Sequence, residues 1–105
     1  MSKHIARTYV SAYRGRLYPT KAAVRELLDL GLRLEDCVRI LEDGYAPRKR
    51  KKGTVERWLD RGKKTYNVVA ARSCDALGEG IWLVIHVGCF TRHRLRLRRK
   101  HGEER

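Results

Sequence analysis

The sequence predicts an α+β domain in which a helical hairpin packs on one face of a three- to four-stranded antiparallel sheet. Two segments with helical spacing of apolar residues lie between Thr20 and Gly44, each closed by a glycine. Four strand-like runs follow between Val55 and Arg99. Helices followed by strands, rather than alternation of the two, is the order of an α+β domain. At 105 residues with 42% hydrophobic content, the chain has material for one modest core and no second domain.

Residues 1–18 are basic and free of acids. Ile5, Tyr9, Ala12 and Tyr13 have helical spacing, but Gly15 and Pro19 interrupt it. The expectation is a basic N-terminal arm or short helix, then a single domain over residues 19–100 and a charged tail over 101–105. Thr20 is placed to cap a helix that carries Val24, Leu27 and Leu28 on one face and stops at Gly31. A second helix runs from Leu34 to Asp43, with Leu34, Cys37, Val38 and Leu41 at i, i+3, i+4 and i+7. Neither is long enough to hold alone, so each needs a shared surface. From Tyr45 to Gly53 the chain reads as a loop containing Pro47 and the block Arg48, Lys49, Arg50, Lys51 and Lys52.

Strands are expected at Val55–Asp60, Lys64–Arg72, Ile81–Val87 and Thr91–Arg99, with a turn at Asp60-Arg61-Gly62. Successive side chains of a strand point to opposite faces. On that rule Ile81, Leu83, Ile85 and Val87 face the core, and Trp82, Val84 and His86 face away. In the last run Leu95 and Leu97 share one parity while Arg92, Arg94, Arg96 and Arg98 share the other. The expected outer face therefore carries Trp82, His86 and a row of four arginines.

The formal net charge is +13, and much of it is clustered in the Arg48–Lys52 block and the terminal arginine row. Concentrated positive charge favours a polyanion, and guanidinium forks suit phosphate oxygens. No strongly apolar face adjoins a basic one so as to insert into lipid, and no apolar run spans a bilayer. Cys37, Cys74 and Cys89 are odd in number with no C-x-x-C pair, which fits a reducing, cytoplasmic setting rather than a disulfide scaffold.

The element order resembles that of the RelE/ParE-like toxin superfamily, and in particular a small domain-of-unknown-function branch grouped with it. The residues that carry the likeness are Arg25, Gly31-Leu32, Glu35-Asp36, Leu41-Glu42-Asp43-Gly44, Lys64-Thr65-Tyr66-Asn67-Val68-Val69 and Trp82-Leu83-Val84-Ile85-His86-Val87. It covers about residues 20–95. The branch often has a histidine where Lys21 stands, so no role carries over to that position. What the resemblance implies is a helical hairpin on an antiparallel sheet. It also implies a short list of activities, from metal-independent cleavage of messenger RNA on the ribosome to toxicity without nuclease action.

Metal-free RNA cleavage needs a base for the 2′-hydroxyl, an acid for the leaving oxygen and cations for the phosphorane. Imidazole is the side chain that ordinarily exchanges protons near neutral pH, which makes His86 the candidate acid or base. Arg72, with Arg92 and Arg94, would stabilise phosphate, and Tyr66 would hydrogen-bond or stack a base. Tyr66 shares parity with Val68 and Ala70, so a packing role stands beside the catalytic one. Nucleic-acid binding falls to Arg48–Lys52, Trp82, Arg92, Arg94, Arg96 and Arg98. His86, Cys89 and His93 form H-x-x-C-x-x-x-H, but the two histidines differ in parity, so neither a metal nor any other cofactor is expected.

The leading expectation is an RNA-binding RelE-like protein, with a metal-independent toxin ribonuclease of a toxin–antitoxin system as its enzymatic form. Two alternatives stay open. One is a non-catalytic nucleic-acid-binding protein using a basic sheet face. The other is a basic module that docks an acidic protein such as an antitoxin.

Overall fold

A computed structural model describes residues 8–73 and 80–91. Strand β1 (Tyr9–Val10), a 3-10 turn (Ser11–Tyr13) and strand β2 (Gly15–Pro19) precede helices α1 (Lys21–Leu30) and α2 (Leu34–Asp43). Strands β3 (Thr54–Arg61), β4 (Lys64–Ser73) and β5 (Ile81–Thr91) complete the fold. The two helices pack on a strongly curled five-stranded sheet of order β1-β2-β5-β4-β3. The sheet is mixed, because β2 runs parallel to β5 while the other neighbours are antiparallel.

Of the segment expected as an arm or short helix, residues 1–7 lie outside the described residues, and the remainder forms the β1–β2 hairpin with its 3-10 turn. The physical reason is burial: Val10 and Leu17 lie in the hydrophobic core, where alternation along the β1–β2 hairpin puts them. Arg14 turns the hairpin in the left-handed region at φ 52°. Glycine then allows β2 to approach β5. A Cβ at Gly15 would lie 2.6 Å from both the Gly80 carbonyl oxygen and Trp82 Cδ1. The backbone bonds Arg16 N–H to Gly80 O (2.8 Å) and Thr20 N–H to Val84 O (3.0 Å) fix the parallel pairing.

Both helices form where their sequence signals lie. Thr20 Oγ1 accepts from Ala23 N–H at 3.2 Å and donates to the Val84 carbonyl at 3.0 Å, so one hydroxyl caps α1 and ties it to β5. Gly31 ends α1 at φ 69°. Helix α2 starts with the Asp36 carboxylate accepting from Arg33 N–H at 2.8 Å. Its buried stripe is Cys37, Ile40 and Leu41, with Leu34 and Val38 packed at the margin. For α1 the buried stripe is Ala23 and Leu27, not Val24, Leu27 and Leu28 as expected. Val24 is 40% exposed and Leu28 75%, because the small Ala23 is what fits against the sheet.

Strands β3 and β4 form the expected hairpin, paired from Thr54↔Ala71 to Arg61↔Lys64. Strand β5 departs from expectation twice. It continues through Gly88 to Thr91, the residue expected to open the fourth strand. The remainder of the expected fourth strand, with Arg92, Arg94, Arg96 and Arg98, lies outside the described residues. The second departure is its facing. Trp82, Val84 and Val87 are buried in the core, and Ile85 and His86 are exposed. Val69 pairs with His86 and Ala70 with Val84, which leaves Ile85 as an extra residue in a β-bulge. The parity therefore changes within the strand, and strict alternation fails. No helix among the described residues is long and apolar enough to cross a membrane.

Candidate nucleic-acid interface and acid–base pair

The helix-packed face of the sheet is the core face, lined by Val68, Ala70, Val84 and Val87. On the opposite, outer face, register aligns Glu56, Val69 and His86 in one cross-strand row and Trp58, Asn67 and Gly88 in the next. Above this face runs the loop from Tyr45 to Gly53. Tyr45 anchors it through paired backbone bonds with Trp58 (2.8 and 2.9 Å), and Thr54 N–H donates to Lys51 O at 3.0 Å. Tyr45, Trp58 and Phe90 form an aromatic series, with ring centroids 6.4 and 5.0 Å apart.

The basic block is drawn onto this face by one acid. Glu56 is only 5% exposed. Its Oε2 accepts from Trp58 Nε1 at 2.8 Å, and its Oε1 lies 3.5 Å from Nε of both Arg48 and Arg50. Lys49, Arg50, Lys51, Thr54 and Ile85 line an open groove of about 420 Å³. The groove thus joins the basic loop to the bulge of β5.

His86 follows Ile85, and its surroundings were not legible in the sequence. The β2–β5 pairing ends at Pro19↔Val84, so beyond Val84 this edge of β5 has no strand partner among the described residues. Glu26 of α1 covers it. One carboxylate oxygen accepts from Val87 N–H at 2.8 Å, and the other lies 3.0 Å from His86 Nδ1. The imidazole is thereby oriented by a carboxylate, with Nδ1–H donating when that nitrogen carries the proton. Nε2 lies over Gly88: a Cβ there would come within 3.1 Å of it and 2.5 Å of Asn67 Oδ1. A side chain at position 88 would fill the space that the ring uses. Both partners of the pair are reachable from solvent, with side chains 49% (His86) and 33% (Glu26) exposed.

The three residues expected to act together are not brought together. His86 lies on the outer face opposite Val69. Arg72 is exposed, three residues along β4 from Val69, or about 10 Å at strand spacing. It shares its cross-strand position with Trp82 instead. Tyr66 lies three residues the other way and packs against the core. Trp82, expected on the exposed face, is 8% exposed and packs at a tilt against Tyr13, ring centroids 5.2 Å apart, because the bulge sets its parity toward the core. It is not available there to stack a base. Arg48, Lys49, Arg50, Lys51 and Lys52 are all exposed in the loop. Among the described residues no group of three or more His, Cys, Asp or Glu side chains is placed to hold a metal ion.

Glu26 is the member that sequence reasoning missed. It lies 60 residues from His86 on a helix whose neighbours carried the packing signal, so spacing held no clue. No family model matches this chain, and no curated protein or solved structure shows significant similarity to it.

Proposed function

We propose that this chain is an RNA-binding protein of RelE-like kind that lays a phosphate backbone along its outer-face groove. The observation that carries the reading is the groove itself, where Lys49, Arg50 and Lys51 line a cleft of about 420 Å³ that ends at the bulge beside His86. Cations at a cleft of this kind concentrate a polyanion, and the net charge of +13 adds long-range attraction. In its enzymatic form the protein is a metal-independent ribonuclease. His86, held at Nδ1 by Glu26, exchanges a proton through Nε2 with the 2′-hydroxyl or the leaving 5′-oxygen. The groove cations offset charge on the phosphorane.

Binding is measured by fluorescence anisotropy with a labelled single-stranded RNA. With about four phosphate contacts and a slope near −0.7 per contact, affinity falls about 50-fold between about 50 and 200 mM salt. Replacing Lys49 and Lys51 together by Ala makes the slope shallower by about 1.4. Absence of binding at low salt overturns the reading. Incubation of labelled RNA in chelator separates the enzymatic form, which yields cleavage products that His86→Ala abolishes. Binding without products leaves the non-catalytic form.

A second reading is favoured by α1, where Val24 and Leu28 are exposed one turn apart beside exposed Lys21 and Arg25. An apolar stripe with basic flanks suits an acidic amphipathic segment, such as that of an antitoxin. Tight complex formation with the product of an adjacent acidic reading frame, lost in Leu28→Asp, is its test.

A further inference from the structure

Glu56 is an acid beneath a basic groove, and its charge would repel the polyanion that the groove is read to bind. Burying a carboxylate is costly unless it is paired. Its Oε2 takes one hydrogen bond from Trp58, while the buried Oε1 has no hydrogen-bond partner among the described residues. Oε1 instead lies 3.5 Å from the Nε atoms of two arginines, Arg48 and Arg50. A guanidinium carries five N–H donors in a rigid fork. With Nε turned toward Glu56, the terminal amino groups of each fork are left for another partner. The arginine side chains are 60% (Arg48) and 37% (Arg50) exposed, so those groups are accessible to one.

The charges do not balance within the cluster. One carboxylate faces two guanidinium groups, and Lys49 and Lys51 add two further positive charges at the same loop. Five successive cations from Arg48 to Lys52 would repel one another into an extended, solvated loop without a counter-charge beneath them. We infer that Glu56 is a positioning residue that folds Arg48 and Arg50 over the sheet as a two-armed clamp for a backbone phosphodiester of single-stranded RNA. This rests on the binding reading above. Arg50 and Thr54 line the groove itself, and Arg48 joins them through the shared carboxylate. Paired forks give a phosphate directional contacts that diffuse lysine charge does not.

The sign of one substitution tests this. Removing a negative charge beside a polyanion site should tighten binding if Glu56 acts only through its field. A positioning role requires the opposite. RNA binding is compared between the wild type and Glu56→Gln by anisotropy over a salt series, with thermal melts monitoring the fold. The expected result is about tenfold weaker binding, with a salt slope shallower by about 1.4 as two phosphate contacts are lost. Equal or tighter binding by Glu56→Gln overturns the inference. A second variant, Arg48→Lys with Arg50→Lys, keeps every charge and removes both forks. It should also bind about tenfold more weakly, a loss of about 1.4 kcal/mol, and unchanged affinity overturns the inference even if Glu56→Gln fails to fold. A wild-type protein that binds no RNA at low salt overturns the binding reading, and the clamp with it. Wild-type binding that neither variant weakens overturns the clamp alone.

Discussion

Glu26 and His86, 60 residues apart in the chain, meet at 3.0 Å where the pairing of β2 with β5 ends. The same carboxylate accepts from Val87 N–H, so one side chain closes a sheet edge and orients an imidazole. The two roles separate on substitution. Glu26→Gln keeps an acceptor for the backbone amide but removes the charge facing His86. We expect it to unfold in urea within about 0.5 kcal/mol of wild type. Glu26→Ala should lose about 1 kcal/mol, the worth of an intramolecular hydrogen bond. If the protein cleaves RNA, both variants lower the cleavage rate while leaving RNA affinity unchanged. An equal loss of stability in both would show that the charge, not the acceptor, holds the edge.

Gly88 sets the position of the same ring from the other side. Gly88→Ala forces Asn67 or His86 to move, since the added carbon would meet Asn67 Oδ1 at 2.5 Å. The expected cost is about 1–3 kcal/mol, typical of overpacking. The shift of the His86 ring protons in an NMR spectrum should change with it. A spectrum identical to wild type at His86 would mean that the ring does not depend on the space over Gly88.

Trp82 separates core packing from base stacking. It is 8% exposed against Tyr13, so Trp82→Ala should cost about 3–5 kcal/mol in urea denaturation. Trp82→Phe should retain most of the stability and all of the RNA affinity. Selective loss of RNA binding by the phenylalanine variant, with the fold intact, would return this residue to the interface.

Cys37 contributes to the alkaline limb of stability. Burial pushes its thiol from 9.0 up to about 12, and the neighbouring Asp36 charge adds to the shift. The folded value lies above the unfolded one, so the unfolded chain releases its proton first. Cys37 therefore contributes its full stability below about pH 9 and loses it progressively as the pH rises toward 12. The stability gap between wild type and Cys37→Ala should narrow above pH 9, by up to about 1.4 kcal/mol per pH unit. A gap independent of pH from 7 to 10.5 would contradict the burial of this thiol.

Helices, hairpin and basic loop were legible because their signals are local. Thr20, Gly31, Asp36 and Gly44 act within one turn of the element they bound, and the Asp60-Arg61-Gly62 turn does the same for the β3–β4 pair. The facing of β5 was not legible, because Ile81 to Val87 carries large apolar residues on both parities. In such a strand, alternation has no polar side to read. A bulge at Ile85 then changes the parity, and it is specified by pairing with β4 rather than by β5 itself.

The sequence by itself determined two helices, a β-rich second half, and a block of five successive cations in a chain of net charge +13. These follow from caps, periodicity and composition, which act over a few residues. Tertiary structure alone decided that Tyr9–Val10 and Gly15–Pro19 are strands, that Trp82 is core and that Glu26 faces His86. It also decided that Glu56 lies under Arg48 and Arg50. Each of these depends on which strand edges remain open and which side chains fill the space beside them. Those are properties of segments distant in sequence and become defined only when the sheet closes.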